Sequence, residues 1–222
     1  MKVVKICGIK SVEAAKVAID NGANLLGCIL VPNRARTIDH EVAKQISQMM
    51  GHRKPPKFDA STPTEHFELV SQWIVENGPF LVGVFRNQPR EEVFRIAREL
   101  GLDFIQLHGS EDKLEFVNSE FGIIPRYVVP DEMDLLGEQA PSLMQCVSLP
   151  LLDSEAGGEG KVLDWTFIER LPTKALLAGG LTPENIPTFQ TILGYDVSGG
   201  VETNGVKDSS KIIKFIQNGH AA

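Results

Sequence analysis

Four short apolar runs in this chain stop at residues able to move a proton or hold an anion. They are Lys5-Ile6-Cys7-Gly8, Leu151-Leu152-Asp153, Leu177-Ala178-Gly179-Gly180 and Asp196-Val197-Ser198-Gly199-Gly200. A thiol serves as a base or nucleophile once its pKa is brought below the free value of about 8.5. A carboxyl group in a closed pocket is kept protonated by desolvation and then serves as an acid. Glycine pairs let backbone N–H groups approach a phosphate closely, because no Cβ stands in the way. Together these residue types suggest acid–base chemistry on a phosphorylated small molecule, provided the fold brings the four runs to one place.

Each candidate has a structural alternative. A buried cysteine is common in cores, and Cys28, inside an apolar strand, and Cys146, just before one, read that way. For Cys7 both readings stand: a buried structural cysteine, or a working thiol, since Gly8 behind it lets the chain turn and leaves the side chain open to a ligand. Asp153 can cap a loop, the commonest use of Asp at a strand end. The residues after Asp153 favour function: 155–161, with Gly157 and Gly158, form a glycine-rich loop able to fold over a ligand. It is not a nucleotide P-loop, since Glu155 stands where the first Gly should be and Val162 where Ser or Thr should be. Arg34 and Arg36 come after the second strand, and a guanidinium fork suits carboxylates and phosphates; one of the two reads as a solvated surface residue. His108 ends the fourth strand, where it serves as a ligand contact or as a structural histidine.

The elements that must position these groups alternate along the chain. Strand-like runs fall at 3–6, 24–30, 80–85, 104–107, 124–129, 147–152, 175–177 and 195–197. Helical patterns run from Ser11 onward, with Ser11 as N-cap, and fall at 39–50, 90–100, 111–121, 131–139, 164–170, 183–192 and 209–218. The strands are rich in Val, Ile and Leu without strict alternation, as in parallel strands buried on both faces. Eight such units predict a single (β/α)8 TIM barrel of the α/β class over 1–222, in which all strand C-termini share one rim. Residues 51–79 interrupt the rhythm with Pro55-Pro56, Pro63 and Pro79 around one helical stretch at 65–76. This reads as an insertion between the second helix and third strand, on the rim opposite the chemistry, with 53–62 as its mobile part.

Composition narrows the function. The 222 residues suffice for one sizeable core. A net charge of −7 argues against a nucleic-acid partner, which requires clustered Lys and Arg. No apolar run approaches the roughly 20 residues of a membrane span, and the first residues lack the pattern of a secretory signal. Three cysteines without metal-type spacing, and no His/Asp set placed for a metal, predict a reduced cytoplasmic protein without a metal site. The acidic surface and the lack of long exposed apolar stretches point to a monomer.

Taken in order, the motifs resemble those of the phosphoribosylanthranilate isomerase family, most of all its fungal members. The resemblance runs nearly end to end, through Lys5-Ile6-Cys7-Gly8, Pro32-Asn33-Arg34-Ala35-Arg36-Thr37-Ile38, Val82-Gly83-Val84-Phe85-Arg86-Asn87 and Gln106-Leu107-His108-Gly109. It continues through Leu152-Asp153-Ser154-Glu155-Ala156-Gly157-Gly158, Leu163-Asp164-Trp165, Leu177-Ala178-Gly179-Gly180-Leu181-Thr182-Pro183-Glu184-Asn185, Asp196-Val197-Ser198-Gly199-Gly200-Val201-Glu202 and Gly205-Val206-Lys207-Asp208. The resemblance implies an eight-stranded barrel and an Amadori rearrangement in tryptophan biosynthesis, with no metal or organic cofactor. It implies Asp153 as the acid that opens the furanose ring and Cys7 as the base that takes the C2′ proton. Arg36 would bind the anthranilate carboxylate, Asp196 would hydrogen-bond the substrate, Gly179, Gly180, Ser198 and Gly199 would hold the phosphate, and Gly157 and Gly158 would belong to a mobile loop. The 51–79 segment exceeds the minimal family pattern, and strand five, Pro125-Arg126-Tyr127-Val128-Val129, carries the least motif-like sequence.

Two other classes compete. A different phosphate-binding barrel, such as an indole-glycerol-phosphate synthase or a sugar-phosphate epimerase, relies on catalytic Lys or on metal-bound Asp and His, whereas strand one here ends in Cys. A non-catalytic scaffold barrel has no chemical need for both Cys7 and Asp153.

Overall fold

A computed structural model describes residues 1–154 and 165–222. Eight parallel strands close in sequence order into one barrel: β1 (Val3–Ile6), β2 (Leu25–Ile29), β3 (Phe80–Phe85), β4 (Phe104–Leu107), β5 (Gly122–Val128), β6 (Leu151–Asp153), β7 (Ala175–Leu177) and β8 (Ile192–Val197). Closure is made by β1 on β8, with Lys5 opposite Asp196. Nearly every strand residue is buried, because side chains fill the barrel interior on one face and meet the outer helices on the other.

The helices are α1 (Val12–Asp20), α2 (His40–Gln48), α3 (Pro63–Asn77), α4 (Arg90–Leu100), α5 (Met133–Leu143) and α6 (Ser209–Ala221). Several start where side chains cap them: Ser11 accepts from the Ala14 N–H, Asp39 from Glu41 and Val42, Thr62 from Glu65, and Asp208 from Lys211. The expected helix at 111–121 is only a 3-10 turn, Lys113–Phe116. Asn118 ends it by accepting from the N–H groups of Glu120 and Phe121. The expected helix at 183–192 is absent: Asn185 spends its side chain on Thr182 N–H and Gly180 O, and Pro187 brings no N–H to a helical ladder. After β6, a 3-10 turn spans Trp165–Arg170. The expected start of that helix at Asp164, and the glycine loop with Gly157 and Gly158, lie outside the described residues.

Helix α3 is the inserted segment, and it closes the N-terminal end of the barrel. It packs against β1, β8 and α5. His66 donates through Nε2 to Cys146 O ahead of β6 (3.0 Å), Thr64 meets Thr173 ahead of β7 (3.1 Å), and Glu68 pairs with Lys174. Trp73 stacks on Phe80, the first residue of β3, with ring centroids 4.6 Å apart. Phe67, Val70 and Ile74 are fully buried beneath the barrel floor. Residues 51–62 lead into α3 without regular structure. They are held by His52 on Asp103 (2.9 Å), Arg53 on Asn77 (3.2 Å) and the edge of Phe58 on His66 and Trp73.

Candidate active site

The strand C-termini surround a cavity of about 490 Å3. Cys7 enters it from the end of β1, Arg36 from the loop after β2, His108 from the end of β4 and Asp153 from β6. Gly179 and Gly180 come from the end of β7, and Asp196, Ser198 and Gly199 from β8 and its turn. The structure thus brings together nine of the residues singled out above; Gly157 and Gly158 fall outside the described residues. Parallel strands explain the convergence, since every strand delivers its last residues to the same rim.

The thiol is seated by its neighbours. A Cβ built on Gly27 of β2 would lie 2.6 Å from Cys7 Sγ, so only glycine there leaves the thiol its space. Two residues earlier on the same face of β1, Lys5 is fully buried and gives Asp196 Oδ1 a 2.9 Å hydrogen bond. Burial opposes the ammonium charge, but Asp196 and Cys7 beside it raise the Lys5 pKa to about 12. Burial also pushes the Cys7 thiol up, and the pull of Lys5 and Lys207 offsets this only in part. Sequence reasoning asked for a thiol below its free value. The structure gives the opposite direction, because desolvation outweighs the two lysines.

Asp153 is 3% exposed. Burial raises its pKa, against the attraction of Arg126 and a 2.8 Å hydrogen bond from the Ser154 N–H to Oδ1. The direction is the one an acid working near neutral pH requires. Arg126 of β5 reaches Asp153 Oδ2 with Nε at 3.2 Å. His108 is held neutral, its pKa lowered to about 3 by burial and by the charges of Arg126, Lys5 and Arg86. Its Nδ1, like Oε1 of the buried Gln106, has no protein partner among the described residues. Both are cavity-lining groups with hydrogen-bonding capacity to spare.

At the mouth, Glu202 grips Arg36 through Nε–Oε1 (2.8 Å) and Nη2–Oε2 (3.0 Å) and also takes a 2.8 Å hydrogen bond from Lys207. Burial opposes its ionisation, yet these two cations bring the Glu202 pKa down to about 2. Lys207 in turn donates to Ser198 O at 2.8 Å, which ties this cluster to the β8 turn. The β7 and β8 turns press together: a Cβ on Gly200 would lie 1.8 Å from Leu181 O. Gly179 and Gly180 adopt positive φ, 98° and 67°, which exposes the backbone of the β7 turn to the cavity. Of the two arginines, Arg34 is the exposed one.

The model of the N-(5′-phosphoribosyl)anthranilate (PRA) isomerase family matches residues 39–218. The chain belongs to that family. The PRA isomerase of Candida albicans is 82% identical over 100% of this chain and 99% of its own length. That of Saccharomyces cerevisiae is 44% identical over 97% and 93%. A solved PRA isomerase from Thermus thermophilus superposes with a TM-score of 0.73 at 28% identity, covering 97% of each chain. Another, in complex with reduced 1-(o-carboxyphenylamino)-1-deoxyribulose 5-phosphate, gives 0.71 at 27% identity over 100% of each. No helix among the described residues is long and apolar enough to cross a membrane.

Sequence reasoning overlooked several residues of this PRA isomerase site: Lys5, Gln106, Arg126, Glu202, Lys207 and Gly27. The first three carried a readable signal. Each is a polar residue inside an apolar strand run, at the parity that faces the barrel interior along with Cys7 or His108. Glu202 and Lys207 stood inside matched motifs, but their pairing with Arg36 is a long-range contact.

Proposed function

We propose that this enzyme carries out the PRA isomerase reaction of tryptophan biosynthesis with Asp153 as general acid and Cys7 as general base. The supporting observation is that the two groups, buried at the C-terminal ends of β1 and β6, line one cavity with the glycine turns of β7 and β8. Asp153 gives its proton to the furanose ring oxygen. The C1′–O bond breaks with its electron pair staying on oxygen, and the anthranilate nitrogen lone pair completes a C=N bond. Cys7, as thiolate, takes the C2′ proton; the electrons of the C–H bond form C1′=C2′ and those of C=N return to nitrogen. The enolamine then takes up a proton at C1′ and loses the one on the C2′ hydroxyl to give 1-(2-carboxyphenylamino)-1-deoxyribulose 5-phosphate. Every electron pair stays within the substrate.

A raised thiol pKa makes the Cys7 thiolate scarcer but a stronger base, which suits removal of a carbon-bound proton. Lys5 supplies the buried positive charge beside it. Glu202 fixes the plane of Arg36 and leaves the Nη1 edge for the anthranilate carboxylate. The backbone of Gly179, Gly180, Ser198 and Gly199 holds the phosphate, Asp196 and the neutral His108 meet the sugar hydroxyls, and Gly157 and Gly158 contribute to substrate binding. The reaction takes place in the cytoplasm in a monomer, which subcellular fractionation and sedimentation check. The chemistry is tested with PRA generated in situ, monitored by its fluorescence. Native protein consumes it, and Cys7→Ser and Asp153→Asn each lose nearly all turnover; activity surviving in Asp153→Asn would mean another group is the acid.

A further inference from the structure

We infer that Arg126 on β5 is a positioning residue that brackets the Asp153 acid and receives the negative charge left when its proton departs; this rests on the assignment of Asp153 above. Arg126 is a charged side chain in the least motif-like strand, 7% exposed, and it does not line the cavity. Among the described residues, its three nitrogens reach three acceptors at two neighbouring strand ends. Nε meets Asp153 Oδ2 at 3.2 Å, Nη1 meets His108 O after β4 at 3.1 Å, and Nη2 meets Ser154 O after β6 at 2.5 Å. A planar guanidinium spread over three fixed oxygens has little freedom to rotate, so it sets where the Asp153 carboxyl points. Its second carboxyl oxygen is pinned by the Ser154 N–H at 2.8 Å.

The contact also changes strength along the reaction. Before proton transfer, the guanidinium faces a neutral acid; afterwards, it faces a carboxylate. An interaction that grows as charge develops stabilises the transition state more than the ground state, which is the condition for raising kcat. The other described charge with a resolved influence on Asp153 is Asp196, across the barrel on β8, and it acts in the opposite sense. Arg126 therefore keeps the Asp153 pKa from rising as far as burial alone would take it, and the acid can release its proton.

The test observes Asp153 directly, by 13C NMR of protein labelled at the aspartate carboxyl carbons, with the signal assigned by its loss in Asp153→Asn. In Arg126→Met the titration midpoint moves up by about one pKa unit or more, kcat falls by about 100-fold and KM stays near native. In Arg126→Lys the charge remains, but one ammonium cannot span the three oxygens, so kcat falls while the thermal midpoint holds. That variant decides the matter if Arg126→Met does not fold. An unmoved Asp153 midpoint in Arg126→Met, a loss confined to KM, or native kcat in Arg126→Lys overturns the inference. If Asp153→Asn itself keeps native turnover, the acid assignment fails instead, and the two failures are told apart.

Discussion

The two ends of this barrel differ in how fully their polar groups are satisfied within the protein. At the N-terminal end, α3 lies across the strand starts and gives polar groups partners: His66 has Cys146 O, Thr64 has Thr173 and Lys174 has Glu68. At the C-terminal end, Gln106 Oε1 and His108 Nδ1 are buried without partners among the described residues, glycines replace side chains, and Lys5 with Asp196 and Arg126 with Asp153 bring four ionisable groups into the interior. Unpaired buried polar atoms lower stability, by roughly 1–3 kcal/mol each. At the floor, by contrast, Trp73 stacks on Phe80 and Phe58 packs edge-on against His66 and Trp73. The lesson is a division of labour: the inserted helix secures the end that does no chemistry, and the other end is left free to bind.

The sharpest way to break this contrast is at the thiol. Cys7→Ser should lower kcat by about 10²–10⁴-fold, the usual contribution of a positioned acid or base, with a native thermal midpoint; an equal loss of stability would make the upper end structural too. Next comes the floor. Trp73→Ala removes the ring stacked on Phe80 and should cost about 2 kcal/mol, which for a chain of this size is roughly 4–8 °C in Tm, with kcat unchanged; calorimetry and the fluorescence assay read both. A smaller effect falls on binding alone. Gly200→Ala forces the β8 turn away from Leu181 O and should raise KM about tenfold or more, as expected for one lost hydrogen bond to a charged group, with kcat little changed.

The smallest effect is one of pH, and it has the same sign at both ends. Burial lowers the His66 pKa, and burial with nearby cations lowers that of His108 to about 3. Because the unfolded state binds protons more readily, stability is full above the unfolded value of about 6.5 and declines as pH falls below it. Each histidine contributes at most about 1.4 kcal/mol per pH unit below that point. His66→Gln keeps an N–H donor for Cys146 O and should flatten part of the acid arm of a denaturant-stability profile, leaving the share due to His108. An unchanged acid arm would show that His66 titrates as it does when unfolded.

The upper end was legible in the sequence and the lower end much less so. Strand ends announce themselves where an apolar run stops at Cys7, His108 or Asp153, and the runs at β1, β3, β4 and β7 match the observed strands residue for residue. The α4 helix was equally clear, because its apolar positions keep a helical period up to the left-handed Gly101. Periodicity failed after β4 and β7, where Asn118 and Asn185 divert backbone groups to their own side chains. A pattern of apolar spacing does not register that competition. The charges behind the acid and the base escaped for another reason. Lys5 and Arg126 stand within apolar strands, and their roles come from partners such as Asp196, 191 residues away in sequence. Helix α3 was visible as a helix, yet its seat beneath the barrel depends on contacts with the starts of distant strands, which no local pattern encodes.

The division between the two ends is tested most directly by measuring kcat and Tm on Asp153→Asn and Phe67→Ala side by side. Phe67 is fully buried in α3, and its truncation should cost about 3–5 kcal/mol. The account predicts a crossed result: Asp153→Asn loses turnover at native Tm, and Phe67→Ala loses Tm by roughly 10 °C at native kcat below its transition. Turnover retained by Asp153→Asn, or kcat lost in folded Phe67→Ala, would contradict it.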